Sequence, residues 1–145
     1  MRAVLDTNVI VSAYLSPERP PADLIRRWRT KAFILIVSTA ILEEYGRILR
    51  RSHIRARHML TDAEIDRQLA GLRGRATVVE PNEVLDVVAA DPTDNRFFEC
   101  AVAGAAEFVV SGDRHLLDVG QYRGIRVVTP AAFVAYLDSV GVESP

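Results

Sequence analysis

Residues 3–8 read AVLDTN. Ala3, Val4 and Leu5 have the character of a buried strand, and the run then stops at Asp6, Thr7 and Asn8. A carboxylate there is unfavourable without a partner, because an unpaired buried charge costs several kcal/mol or more. Asp6 is therefore a local turn or cap device, or it stands beside something positive. The design recurs at residues 108–113, FVVSGD, where an apolar run leads through Ser111 and Gly112 to Asp113. If the two strands are neighbours, Asp6 and Asp113 stand close together. Each then raises the other's pKa unless a cation offsets the repulsion.

Outward from these two stretches, short apolar runs alternate with helical patterns. Strands are expected at Arg2–Leu5, Phe33–Val37, Ala76–Val79, Phe108–Ser111 and Ile125–Val128. Several are continuous in Val, Ile or Phe, as expected of strands covered on both faces. Pro21 opens a helical segment with Leu24, Ile25 and Trp28, and Ser38 is placed to cap a helix carrying Ile41, Leu42, Tyr45, Ile48 and Leu49. Thr61 and Glu64 form a capping box before Ile65, Leu69 and Leu72. A helix with Phe97, Phe98, Ala101 and Val102 follows Asp94, and Thr129–Pro130 starts the last one. This β/α alternation predicts an α/β fold with a central parallel sheet flanked by helices. Residues 52–61 read as the least regular stretch. One domain is expected over residues 1–140, with 141–145 as a C-terminal tail.

The chain's 145 residues are enough to bury a sizeable core. No apolar run approaches the ~20 residues of a membrane span, and none reads as a signal peptide. The single cysteine, Cys100, excludes an intrachain disulfide and fits a reducing cytoplasm. Net charge is −1, yet residues 47–58 hold five arginines and two histidines without an acid. That run is either a solvated helix end or a phosphate-binding surface formed by Arg47, Arg50, Arg51, Arg55 and Arg57.

Two further carboxylates join the first pair as candidates. In DPTDN, Asp94 opens a helix and is either its N-cap or a site residue. In ILEEYGRIL, about 100° of rotation per residue sets Glu44 at the border of the apolar face and turns Glu43 outward. An all-oxygen set of this kind suits Mg²⁺ or Mn²⁺, whereas His53, His58 and His115 form no ligand-spaced set for zinc. Carboxylate–metal clusters typically perform phosphoryl-group chemistry. With a basic flank for the backbone, nucleic acid is a reasonable substrate.

The chain resembles the PIN-domain family, and more narrowly the VapC-like toxins of bacterial toxin–antitoxin pairs. The resemblance runs from VLDTNVIVSAYLS through STAILEEYGRIL and DPTDNRFFECAVAGAAEFVVSGDRHLL to VVTPAAFVAYL. It implies an acidic quartet of Asp6, Glu44, Asp94 and Asp113, supported by Asn8 and Ser111, and a PIN-like three-layer α/β/α sandwich of strand order 3-2-1-4-5. It also implies Mg²⁺- or Mn²⁺-dependent cleavage of RNA, a homodimer, and inhibition by a cognate antitoxin protein. The competing expectation within the family is a scaffold that binds RNA or a protein with little turnover. A phosphoaspartate phosphatase or receiver is disfavoured. The phosphatase prefers an acid where Asn8 stands, and the receiver needs a well-placed lysine that Lys31 does not supply.

Overall fold

The computed structural model describes residues 1–142. Six strands form one sheet: β1 Arg2–Leu5, β2 Ile34–Val37, β3 Thr77–Val78, β4 Phe108–Val110, β5 Gln121–Tyr122 and β6 Ile125–Val128. Their spatial order is β3-β2-β1-β4-β6-β5. All pairs are parallel except β5 with β6. The five strands expected from the sequence are therefore the parallel part of the sheet, in the expected order. The sixth is an edge hairpin turning through Arg123 and Gly124, whose φ values are 49° and 81°. Two positive φ values in a two-residue loop match the twist of the flanking strands.

The helices are α1 Thr7–Leu15, α2 Pro20–Arg29, α3 Thr39–Leu49, α4 Ser52–His58, α5 Asp62–Arg75, α6 Asn95–Ala103, α7 Arg114–Leu117 and α8 Pro130–Val142. Ser38 caps α3 by accepting from the Ile41 N–H at 3.2 Å. Thr61 and Glu64 close the capping box on α5 with two bonds of 3.1 Å. Residue preferences obscure α1, and α4 departs from expectation. Val9, Ile10 and Val11 favour strands by residue type, yet α1 buries all three, so tertiary packing overrides propensity. The stretch 52–61, expected to be irregular, contains α4, which ends at Met59 in the left-handed conformation with φ 62°. At the far end, α8 runs through Gly141 and Val142, past the boundary expected at residue 140. Positions 143–145 of the expected tail lie outside the described residues.

The core is centred on β1, β2 and β4, where Ala3, Val4, Leu5, Leu35, Ile36, Val109 and Val110 are fully buried. Phe133 of α8 joins Phe33 and Phe108 at ring-centroid distances of 5.1 Å each. The register pairs Val4 with Val109 and Leu5 with Val110, and the Asp6 N–H donates to the Val110 carbonyl at 2.9 Å. The chain moves outward from β1 to β2 and β3, then returns to β4 on the other side of β1. That reversal creates a switch point at the carboxyl ends of β1 and β4, the place where open α/β sheets bind ligands.

Candidate active site

Asp6 follows β1 at this switch point and is only 4 % exposed. It occupies the N-cap position of α1, but its carboxylate makes no capping bond; its backbone carbonyl receives Val9 and Ile10 instead. Local capping alone therefore does not account for the placement of Asp6, whose firmest side-chain contact lies across the sheet at Ser111. The carboxylate accepts from the Ser111 hydroxyl at 2.6 Å, and the same Oγ accepts from the Asp113 N–H at 2.9 Å. Ser111, wholly buried after β4, therefore ties Asp6 to the backbone of Asp113. Asn8 contributes its backbone N–H toward the Asp6 carboxylate, while its side chain is exposed. Desolvation raises the Asp6 pKa, against the bonds from Ser111 and Asn8, and the charges of Asp113 and Glu44 raise it further.

The segment after β3 delivers the next carboxylates. It has no regular structure but is tightly held. Asn95 Oδ1 accepts from the Val87 and Val88 N–H groups at 2.9 and 2.7 Å, and Glu99 accepts from Leu85 at 2.9 Å. Asp91 then caps the short 3-10 turn Pro92–Asp94 by accepting from the Thr93 N–H at 3.2 Å. Asp94, at the start of α6, makes no capping bond of its own. Its pKa is pushed up to about 7, first by desolvation and then by the charges of Asp91, Asp6, Asp113 and Glu44. Asp113 differs from these two in having a local task as well, accepting from the His115 N–H at 2.7 Å at the start of α7.

Glu44 lies on the inner border of α3 with its side chain 11 % exposed, whereas Glu43 faces solvent. The rotation read from the sequence is the one observed. Its carboxylate accepts from the buried Thr7 hydroxyl and pairs with Arg96 Nη1 at 3.1 Å and Arg47 Nη2 at 3.5 Å. Sequence reasoning singled out neither Thr7 nor Arg96. Thr7 follows Asp6 directly and Arg96 stands two residues after Asp94, but the direction each side chain takes is set by packing. Below Glu44, the Tyr45 hydroxyl donates to the Leu5 carbonyl and locks α3 against β1.

The expected basic surface divides in two. Arg50 pairs with Asp62 at 3.4 Å and with Asp66, and Arg55 pairs with Asp62, so α5 supplies the acids that the run itself lacks. Arg51 and Arg57 remain exposed without an ion pair to a described residue.

The charges of Asp113 and Glu44 act on Asp6, those of Asp6, Asp113 and Glu44 act on Asp94, and all four side chains offer oxygen. Asp6 and Asp94 have no cation paired to them among the described residues. This donor chemistry and excess negative charge fit a hard divalent ion. Among the described residues, however, no three Asp, Glu, His or Cys side chains are already drawn into a ligating arrangement. Glu44 in particular is turned toward Arg96 and Arg47.

A PIN domain model matches residues 2–115 of the chain. The chain belongs to the PIN domain family. Members of this family are generally divalent-metal-dependent nucleases, so the coarse assignment is a hydrolase acting on nucleic acid. The chain is 25% identical over 142 residues to the uncharacterized protein MJ1680 of Methanocaldococcus jannaschii, covering 92% of this chain and 90% of the relative. The crystal structure of PAE2754 from Pyrobaculum aerophilum has the same fold, with a TM-score of 0.63 and 18% identity over 96% of this chain and 90% of that one. Among the described residues, no helix is long and apolar enough to cross a membrane.

Proposed function

We propose that this PIN domain is an endoribonuclease that uses Mg²⁺ or Mn²⁺ to cleave RNA phosphodiesters, with Asp6, Glu44, Asp94 and Asp113 as the carboxylates that hold the metal. The observation that carries this reading is the convergence of carboxylates at the β1/β4 switch point, with Asp94 pushed to about 7 by burial and then by its acidic neighbours. When bound, a divalent ion lowers the pKa of a water for in-line attack and stabilises the departing oxygen. The protein's own contribution is positioning. Ser111 holds the Asp6 carboxylate, Thr7 holds Glu44, and Asp91 fixes the turn that presents Asp94. Arg96 and Arg47 neutralise Glu44 in the free protein.

The resemblance to VapC-like proteins supports reading this chain as the toxin of a toxin–antitoxin pair, acting as a homodimer in the cytoplasm and restrained by a cognate antitoxin. The buried Cys100 suits a reducing compartment. A second reading, a PIN scaffold that binds RNA or a protein with little turnover, is favoured by one observation: Glu44 is already satisfied by Thr7, Arg47 and Arg96.

Cleavage of diverse RNAs by purified protein, with each metal in turn, tests the proposal. Asp6→Asn and Glu44→Gln should lower the rate by roughly two or more orders of magnitude, the range for losing a group that acts in the transition state. Glu43→Gln should stay near wild type. Binding without cleavage at ample Mn²⁺ selects the scaffold reading.

A further inference from the structure

Away from the acidic cluster, α1, α2 and α5 enclose a cavity of about 320 Å³. Its floor is apolar, with Ile10 at 1 %, Leu72 at 5 % and Trp28 at 7 % exposure. One wall carries Tyr14, whose hydroxyl donates to Gln68 Oε1 at 3.0 Å. Arg29 and Arg75 stand at the rim, exposed, and neither forms an ion pair with a described carboxylate. Arg29 lies close enough to act on the Tyr14 phenol: burial raises that group's pKa, and the guanidinium works against the rise. Trp28, Arg29 and Arg75 also line an adjoining groove that adds Lys31 and Phe33, so the positive rim extends along the surface. None of these residues belongs to the carboxylate site.

This combination is specific in its chemistry. Two guanidinium groups without acidic partners among the described residues form a ready receptor for a phosphate, which their planar forks can grip with paired hydrogen bonds. The volume lies at the lower end of the range for small-molecule sites, roughly 300–1,000 Å³. The aromatic and aliphatic floor accepts a flat, weakly polar body, as aromatic side chains do for bases. A bare inorganic anion would leave that floor unused, and a neutral apolar ligand would leave the two cations without a partner.

We propose that this cavity is a binding site for a phosphate ester carrying a planar body, the chemistry of a nucleotide. Arg29 and Arg75 take the phosphate, and the Trp28–Tyr14 wall takes the base. Two sources present this chemistry: a free mononucleotide, or one nucleotide of an RNA strand crossing the molecule.

Trp28 is the chain's single tryptophan, so its emission reports on this cavity and the groove that adjoins it. Adenosine monophosphate, inorganic phosphate and a short oligoribonucleotide are titrated separately into full-length protein without divalent metal. A saturable change with adenosine monophosphate, tighter than with inorganic phosphate, supports a free nucleotide as the source. A change with the oligoribonucleotide only supports a strand. Gly71 lines the cavity, and a Cβ there would meet no atom within 4 Å, so the larger side chain of Gly71→Leu should occupy the space and abolish the response. Arg29→Gln with Arg75→Gln touches exposed side chains only and should weaken binding by at least about tenfold, the loss expected for hydrogen bonds to charged groups. Asp6→Asn should leave the titration unchanged, which separates this site from the proposed nuclease centre. Flat emission with all three probes up to about 1 mM overturns the proposal, that being the weak end of specific binding. So does a response that survives in both cavity variants, or equal affinity for inorganic phosphate and the nucleotide.

Discussion

Asp94 takes up its proton near neutrality, far from the usual carboxylate range, because burial and four acidic neighbours act in one direction. The sign of its effect on stability follows. The folded protein binds this proton at a higher pH than the unfolded chain, so lowering the pH through about 7 favours the fold until the unfolded group also protonates, near 3.8. Asp6 shifts the same way. The metal-free protein should therefore melt at a higher temperature at pH 5 than at pH 8. Asp94→Asn should raise the melting temperature at pH 8 and flatten the profile between them. A wild-type profile that falls toward pH 5 would show that these two groups do not dominate its acid side. The residue scale was partly legible in the sequence. An apolar run ending in Asp, twice, located Asp6 and Asp113, but N-cap and site residue look alike in DPTDN. Only the geometry separates them, because Asp91 does the capping and leaves Asp94 free.

At the scale of elements, legibility followed the strength of the periodic signal. α3, α5 and α6 declare themselves through caps and spaced apolar residues. α1 does not, since its Val-Ile-Val run has strand character and only its surroundings make it a helix. The β5–β6 hairpin was also hidden, because its turn begins with Arg123 rather than the Asn, Asp or Gly usual at positive φ. α4 matters most for the proposed RNA contact, since it rearranges the basic run. Arg50, at the end of α3, and Arg55 of α4 are held by Asp62 and Asp66 of α5, so they are partly spent on packing α3 and α4 against α5. Among the described residues, Arg51 and Arg57 are the pair without an ion-pair partner. Alanine at both should weaken RNA binding at low salt and reduce the slope of log K against log salt by about 0.7 per lost phosphate contact. Metal affinity and melting temperature should hardly move. Arg50→Ala should instead cost up to about 1 kcal/mol of stability, the scale of exposed ion pairs. Filter binding across a salt series, with thermal melts of the same variants, checks both halves. An unchanged slope in the double variant would return the run to a purely structural role.

For the molecule as a whole, topology was legible because parallel strands with helical crossovers permit few arrangements. Side-chain closure was not, because the directions of Glu44 and Arg96 depend on packing among α1, α3 and α6. The proposed metal site draws on four segments: the ends of β1 and β4, the middle of α3 and the turn before α6. They are far apart in sequence, so the unfolded chain cannot present them together, and an ion that binds them binds the folded state. At about 100 times its Kd, such an ion stabilises the fold by about 2.7 kcal/mol. For a chain of this size that corresponds to a rise in Tm of roughly 5–10 °C. Mn²⁺ should produce this rise in the wild type. Asp6→Asn should behave oppositely in two respects: a higher Tm without metal, because a buried charge is removed while Ser111 can still donate to the amide oxygen, and little further gain on adding Mn²⁺. Asp113→Asn should lose the gain as well. Arg96→Gln separates charge balance from ligation, because removing the cation beside Glu44 should tighten Mn²⁺ binding in calorimetry while lowering the metal-free Tm. If Mn²⁺ stabilises wild type, Asp6→Asn and Asp113→Asn equally, the ion binds elsewhere and the carboxylates at the switch point do not hold it.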